Sequence, residues 1–257
     1  MKAIILSAGR GSRLLPLTQH QPKCLLPIGG ISMIEHQIEV LHDCGINNIS
    51  VVTGFGSTLV ERALASWHSP NLSIRTIYNP FYQVSDNLAS CWMAREEMDS
   101  DFLLVNGDTL FEHRVVQRLL SSQLVPITVT IDRKDAYDDD DMKVQLDGMR
   151  LLAIGKRLSA SDTDGESIGL TSFRGEGPNL FADHIAEAML EPEGVRSWYL
   201  KAVDTLAKDG FVHAASIEGL KWGEVDTADD LAEVRDLFAG APRSGLASAG
   251  RPLDAAE

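Results

Sequence analysis

Short apolar runs alternate with longer amphipathic stretches along the first half of the chain. Five apolar runs predict β-strands, at 2–7, 48–53, 74–78, 102–105 and 127–131. Three stretches with apolar residues at helical spacing predict helices, at 33–43, around 60–67 and at 85–98. Strands separated by helices of this length indicate βαβ units and a parallel sheet. Ligands bind beyond the carboxyl ends of such strands, so the loops that follow them should share one binding edge.

Beyond residue 132 the pattern is less regular. Short runs predict an antiparallel extension of the sheet, at 143–146, 151–154 and 167–173. Helices are predicted at about 179–190, 198–206 and 228–238, with one more strand at 211–217. The predicted fold class is α/β: a Rossmann-like mixed, mainly parallel sheet flanked by helices, with a small antiparallel extension. Residues 241–257 are rich in Ala, Gly, Ser and Pro, which predicts a flexible tail.

Charge and cysteine content narrow the class of protein. The chain has 257 residues, 37 acidic and 23 basic, so its formal charge is −14. This balance argues against nucleic acid and anionic lipid as partners, because both need a surplus of Lys and Arg. No apolar run reaches the ~18 residues of a membrane span, which predicts no membrane insertion. Cys24, Cys44 and Cys91 are widely spaced, which predicts reduced thiols and a cytoplasmic protein.

A glycine-rich turn follows the first predicted strand, with Gly9 and Gly11 interleaved with Arg10 and Arg13. Glycines let the backbone turn tightly and offer N–H groups to a phosphate, whose charge the arginines can neutralise. Leu14 stands where the dinucleotide fingerprint needs a third glycine, and the spacing of a P-loop is absent. The turn therefore indicates an anion site, and a plain βα turn with surface arginines is the alternative.

Two prolines, Pro22 and Pro27, stiffen the segment that carries Lys23. A lysine held beside a glycine-rich turn can bind the α-phosphate of a nucleotide as a point charge. Taken alone, a lysine next to proline is more often an ordinary loop residue.

Two aspartates lie at positions that suit a metal. Asp108 follows the apolar strand 102–105 on the predicted ligand edge, and Asp226 precedes the last helix. Mg²⁺ prefers a few carboxylates together with substrate phosphates, so this pair predicts a Mg²⁺–nucleotide site. The alternatives are that Asp108 caps a turn and that Asp226 is the N-cap of the helix.

These segments occur together and in one order: a G-x-G-x-R loop, a P-K-x-L-x-P segment, a G-D strand end and a late E-V-D-T. Over roughly residues 1–238 the chain resembles the nucleotidyltransferase family that includes sugar-1-phosphate nucleotidyltransferases. The resemblance implies one domain at 1–240, with a nucleotide-binding half at about 1–131 and an acceptor-binding half at about 132–240. It implies catalytic roles for Lys23, Arg13, Asp108 and Asp226, the two aspartates also binding Mg²⁺. It implies nucleotide contacts at Leu6, Ala8, Gly9, Arg10, Gly11 and Gly107.

Further details resemble the choline-phosphate cytidylyltransferase branch and its phosphonate relatives. Asn79-Pro80 with the segment 86–90 is similar to that branch's N-P…N-N-x-x-S segment near the nucleotide base. Asp86 replaces the first Asn of the pair, so only Asn87 and Ser90 carry over as nucleotide contacts.

The acceptor side is predicted from a second segment of the same branch. Residues 154–156 and 166–170 resemble its I-x-K…E-x-I-G-I element, which implies that Lys156 contacts the acceptor's phosphate. Glu166 and Trp198 are further candidate contacts, because a cationic acceptor favours carboxylates and aromatic faces. The acidic run at 138–141 lacks the spacing of a calcium loop, and we interpret it as a solvated loop.

The implied reaction transfers CMP from CTP to a small phosphate or phosphonate monoester and releases pyrophosphate. A phosphate monoester is mostly ionised at neutral pH, so it needs alignment rather than a general base. The implied partners are CTP, or another nucleoside triphosphate, and a small phosphorylated acceptor, and a homo-oligomer is left open. One alternative is a sugar-1-phosphate nucleotidyltransferase using UTP, dTTP, GTP or CTP. Another is a non-catalytic, nucleotide-binding regulatory subunit.

Overall fold

The computed structural model describes residues 1–65, 67, 69 and 71–240. Its strands are β1 (Lys2–Ser7), β2 (Pro27–Ile28), β3 (Ile31–Ser32), β4 (Asn48–Thr53), β5 (Ser73–Tyr78), β6 (Phe102–Asn106), β7 (Thr109–Phe111), β8 (Ile127–Asp132), β9 (Lys143–Asp147), β10 (Arg150–Ile154), β11 (Gly165–Phe173), β12 (Val212–Ser216) and β13 (Trp222–Glu224). Its α-helices are α1 (Met33–Asp43), α2 (Ser57–Ala65), α3 (Asn87–Met93), α4 (His113–Leu120), α5 (Gly177–Leu190), α6 (Tyr199–Lys208) and α7 (Ala228–Leu237).

A nine-stranded mixed sheet forms the centre of the protein, in the order β5-β4-β1-β6-β11-β8-β12-β10-β9. The first four strands in this order are parallel to one another, so their carboxyl ends meet at one edge, as predicted. β11 runs antiparallel to its neighbours β6 and β8, and β9 and β10 form an antiparallel pair at the far end. The predicted α/β class, a mixed sheet with helices around it, is confirmed.

Alternating side chains of the strands form two apolar layers, one on each face of the sheet. Ile4 and Leu104 belong to the layer that also contains buried residues of α3, α5 and α6. Ile5 and Val105 belong to the other layer, which is closed by α1, α2 and α4. This period-two pattern is the one expected of strands that are covered on both faces.

Stacked aromatic rings fill the first of these layers. Phe173 packs between Phe102 and Phe181, with ring centroids 4.6 and 4.3 Å apart. These rings join β6, β11 and α5, and β6 and β11 are the two strands whose ends carry much of the site.

Most predicted elements are present, and β1, β4 and α1 have the predicted bounds. The predicted helix at 85–98 is shorter, because α3 ends at Met93 and a single 3₁₀ turn, Arg95–Glu97, follows. Helix α4, which has only two turns, was not predicted, and neither were the strands β2, β3, β7 and β13, which have two or three residues each. The predicted tail at 241–257 lies outside the described residues. Within the described part of the chain, no helix combines the length and apolar character needed to cross a membrane.

Candidate active site

Three adjoining cavities lie beyond the carboxyl ends of β1 and β6. The small cavity has a volume of about 210 Å³ and is lined by Leu6, Ala8, Asn87, Ser90 and Gly107, among others. The central cavity, of about 340 Å³, is lined by Gly9, Gly11, Arg13, Lys23 and Asp226. The large cavity, of about 830 Å³, is lined by Lys156, Glu166 and Trp198. Asp86 and Asp108 line all three, so the cavities form one continuous cleft.

The glycine-rich turn and the lysine segment pack directly against each other. Gly11 has a φ of +74°, and a Cβ there would lie 2.9 Å from the Cβ of Lys23. Glycine is required at this position for both the backbone conformation and the close approach. Lys23 itself begins a 3₁₀ turn after Pro22, which keeps its side chain aimed into the cleft.

Lys23 is buried and pairs with two carboxylates. Its Nζ donates to Asp226 Oδ1 at 2.8 Å and to Asp108 Oδ2 at 3.1 Å. Burial alone lowers the pKa of Lys23, but the two carboxylates more than offset it and hold the pKa above its ordinary value. The ammonium is therefore positively charged throughout the physiological range.

A backbone hydrogen bond between distant segments brings the two predicted aspartates together. Val225 N–H donates to the carbonyl of Asp108, which holds the two segments side by side. Thr227, rather than Asp226, is the N-cap of α7, and it forms a capping box with Asp230. The capping alternative for Asp226 is therefore wrong, and its carboxylate is free to face the cleft.

Glu224 is a third carboxylate here, which the sequence analysis left without a role. It enters through β13, which pairs with β7 so that Glu224 lies opposite Thr109. Carboxylate oxygens of Asp108, Glu224 and Asp226 all lie within 4.8 Å of one another. Although Glu224 is an exposed residue, desolvation of its carboxylate beside the other two, together with the charges of Asp108 and Asp226, raises its pKa to about 8.

This carboxylate group fits a divalent cation. Asp108 Oδ1 is buried and has no hydrogen-bond partner among the described residues, so one hard oxygen is left unsatisfied. Carboxylate oxygens are donors that suit Mg²⁺, which usually takes one or two of them together with substrate phosphates, and this group of three can supply them.

The two arginines of the glycine-rich turn have different positions. Arg13 Nη2 lies 2.9 Å from Asp226 Oδ2, so it belongs to the charged centre. Arg10 lines none of the three cavities; its guanidinium lies 5.0 Å from the centroid of the Phe55 ring. The structure thus brings Arg13 into the cleft, whereas Arg10 lies over the Phe55 ring.

The small cavity is shaped by a network of amide side chains. Asn79 is fully buried and donates to Ser90 Oγ at 3.1 Å, while its Oδ1 accepts the Phe81 N–H. Asn87 Oδ1 accepts the N–H of Tyr199 and so links α3 to α6. Asp86 replaces the first Asn of the N-N-x-x-S segment described above. It precedes α3 and lines all three cavities.

The predicted acceptor residues line the large cavity. Trp198 is 43% exposed, and Lys156 Nζ lies 4.9 Å from the centroid of its ring. Glu166 is buried, and its Oε2 lies 2.9 Å from Lys134 Nζ, which also contacts Asp141 at 2.8 Å. Desolvation and Asp141 outweigh Lys134 and raise the pKa of Glu166 to about 7.

The acidic run at 138–141 is only partly the solvated loop that we predicted. Asp138, Asp139 and Asp140 are exposed, but Asp138, Asp140 and Asp141 line the large cavity. The spacing of the run does not predict that it lines the cavity, because Asp140 is held there by ion pairs with Arg13 and Lys156, which are distant in the chain.

The chain is similar to known nucleotidyltransferases. A family model described as nucleotidyl transferase matches residues 2–136. The choline-phosphate cytidylyltransferase of Streptococcus pneumoniae is 26% identical over 244 residues, which are 93% of this chain and 98% of that protein. The CMP-5'-(3-aminopropyl)phosphonate synthase of Streptomyces rubellomurinus is 29% identical over 241 residues, 90% of this chain and 37% of that protein.

A solved structure extends the comparison to the fold. The CTP:phosphocholine cytidylyltransferase structure from Streptococcus pneumoniae matches with a TM-score of 0.76 at 22% identity, covering 92% of this chain and 98% of that one. The predicted likeness to choline-phosphate and phosphonate cytidylyltransferases is confirmed. Because the family model spans more than half of the 257 residues, the chain belongs to the nucleotidyl transferase family of enzymes.

Proposed function

We propose that this enzyme transfers CMP from CTP to a small phosphate or phosphonate monoester such as phosphocholine, releasing pyrophosphate. The observation that carries the proposal is the position of Lys23, whose ammonium lies between Asp108 and Asp226 at the centre of the cleft. The same cleft includes a cavity edged by amide side chains and a larger cavity with a lysine and an exposed tryptophan. This layout suits two substrates that meet at one phosphorus atom.

CTP would occupy the small and central cavities. Its base and ribose would lie against Leu6, Ala8, Asn87, Ser90 and Gly107, which line the small cavity. Its triphosphate would follow the glycine-rich turn, where backbone N–H groups can bind the phosphate oxygens. In this proposal residues 1–131 form the nucleotide half of a single domain at 1–240, and residues 132–240 form the acceptor half.

The reaction is an in-line displacement at the α-phosphorus. An oxygen of the acceptor phosphate forms the new P–O bond while the bond to pyrophosphate breaks. Since this oxygen is already an anion at neutral pH, the protein needs to align it and neutralise charge. Lys23 and Arg13 supply fixed positive charge where negative charge develops in the transition state.

Asp108, Asp226 and Glu224 would hold Mg²⁺. When bound, the cation would supply Lewis-acid charge stabilisation at the phosphate oxygens. Binding of a cation there would also offset the repulsion by Asp108 and Asp226, which adds to desolvation in raising the pKa of Glu224.

The acceptor would lie in the large cavity. Lys156 is positioned to bind its phosphate group. Since Lys156 Nζ lies over the Trp198 ring, a cationic far end would use the part of that ring which is left exposed, together with the carboxylate of Glu166. The similarity to a choline-phosphate cytidylyltransferase and to an aminopropylphosphonate synthase supports an acceptor of this class.

A two-way substrate panel tests the proposal. Pyrophosphate release would be measured for CTP, UTP, dTTP and GTP, each with phosphocholine, 2-aminoethylphosphonate, inositol phosphate and hexose 1-phosphates. We expect turnover with CTP and an amine-bearing phosphate or phosphonate. Turnover with hexose 1-phosphates alone would replace this proposal by a sugar nucleotidyltransferase, and nucleotide binding without any product would favour a regulatory subunit.

A further inference from the structure

The acidic run at 138–141 has no part in the proposed reaction, yet it contributes an ion-pair network inside the cleft. Asp140 Oδ1 lies 3.2 Å from Lys156 Nζ, on the acceptor side. Its other oxygen, Oδ2, lies 3.9 Å from Arg13 Nη1, on the nucleotide side. One carboxylate therefore contacts a cation from each half of the site.

Asp141 holds the run in place, whereas the side chain of Asp140 is largely exposed. Asp141 accepts the N–H of Asp138 at 2.6 Å and pairs with Lys134 at 2.8 Å, which fixes the base of the loop. The side chain of Asp140 is 81% exposed, and its two ion pairs are the contacts that hold it in the cleft. Such a side chain can leave without disturbing the fold, because solvated ion pairs contribute little to stability.

We propose that Asp140 is an internal anionic competitor for the phosphate groups of both substrates, and that it couples their binding. The inference rests on the proposed function, since it assigns Arg13 to the nucleotide and Lys156 to the acceptor. In the substrate-free enzyme the Asp140 carboxylate pairs with both cations, Arg13 and Lys156. A phosphate that takes either cation removes part of what holds Asp140 in the cleft.

Coupling follows from this shared contact. When CTP displaces Asp140 from Arg13, the carboxylate is held by Lys156 alone, so the acceptor phosphate displaces it more easily. Thermodynamic linkage makes the effect reciprocal, so each substrate raises the affinity for the other by the same factor. Both cations keep their positions when Asp140 leaves, because Arg13 remains paired with Asp226 and Lys156 remains over Trp198.

The effect is modest in size, since exposed ion pairs are weak and screened by salt. We expect Asp140→Asn to raise the affinity for each substrate by about two- to fivefold at low ionic strength. The gain should shrink in high salt, where the Debye length falls below the spacing of the charges.

Equilibrium binding tests the inference without turnover. A CTP analogue with a non-hydrolysable α–β bridge would be titrated with Mg²⁺ into wild-type protein, Asp140→Asn and Asp139→Asn, with and without saturating phosphocholine. Asp139 is the matched control, because it carries the same charge, is exposed and does not line the large cavity. Thermal melting would verify that all three proteins are folded.

We expect tighter analogue binding by Asp140→Asn alone, together with a smaller enhancement by phosphocholine than in the wild type. Equal affinities and equal enhancement in all three proteins would overturn the inference while leaving the proposed function in place. A folded wild-type protein that binds no CTP analogue would overturn the proposed function and the inference with it.

Discussion

Lys23 Nζ lies 2.8 Å from Asp226 Oδ1, although 203 residues separate the two in the chain. The same ammonium lies 3.1 Å from Asp108 Oδ2. Three segments that are far apart in the chain therefore supply the charges at the centre of the cleft. Removing the lysine charge leaves two carboxylates uncompensated in a partly desolvated site.

Replacing Lys23 with Met should reduce turnover by about 100- to 1,000-fold, since a fixed charge that stabilises the transition state is lost. The measurement is the rate of pyrophosphate release at saturating CTP and phosphocholine. Lys2→Met is the matched control, because Lys2 pairs with Asp99 on the surface and lines none of the three cavities. Near-wild-type turnover by the Lys23 variant would contradict the role given to this residue.

Asp108→Asn should weaken Mg²⁺-dependent nucleotide binding and remove most of the turnover. The amide keeps the shape of the side chain but removes the charge and the unsatisfied carboxylate oxygen that we assign to the cation. The measurement is the affinity for a CTP analogue as a function of Mg²⁺ concentration. A variant whose Mg²⁺ dependence matches that of Asp99→Asn, a surface control, would show that the metal is held elsewhere.

Trp198→Ala should raise the KM for phosphocholine by about 3- to 30-fold, because the cationic end of the acceptor loses its attraction to an aromatic ring. The KM for CTP should stay unchanged, since Trp198 lines the large cavity and neither of the other two. Trp198→Phe keeps an aromatic face and should recover most of the affinity. Equal changes in both KM values would indicate general damage to the cleft instead of an acceptor contact.

Glu166 should make folding stability depend on pH. Burial raises its pKa from the ordinary 4.5 to about 7, so the folded state holds this proton more tightly than the unfolded state. Its contribution to stability is fully present below about pH 4.5 and is lost as pH rises through 7. Lys134 and Asp141, which face it, act in opposite directions on this pKa.

The measurement is the difference in Tm between wild type and Glu166→Gln across that window. We expect the wild-type Tm to fall relative to the variant as pH rises. Glu96→Gln, at an exposed position, should show no such trend. A constant difference between wild type and Glu166→Gln would mean that Glu166 has an ordinary pKa.

The parts of the site that lie within single segments could be predicted from the sequence. The glycine-rich turn, Lys23 between its prolines and Asp108 at a strand end each have a local pattern with a physical reason. The edge of the sheet on which these residues meet could also be predicted, because parallel strands place their carboxyl ends together.

The remaining site residues depend on contacts between distant segments. Glu224 reaches Asp108 only because β13 and β7, strands of three residues each, pair with each other. Strands this short have no readable alternation, so neither was predicted. Lys134 and the acidic run likewise enter the cleft through ion pairs that no local pattern encodes.

The most direct test of the proposed reaction is to identify the bond formed between the acceptor phosphate and the α-phosphorus of CTP. Phosphorus NMR of a reaction containing CTP, Mg²⁺ and phosphocholine would follow the α-phosphorus of CTP and the phosphorus of the acceptor. We predict that both signals shift to those of an unsymmetrical diphosphate while pyrophosphate accumulates in equal amount, and that Lys23→Met forms both products far more slowly. An unchanged acceptor signal with every amine-bearing phosphate and phosphonate, while hexose 1-phosphates react, would contradict the account.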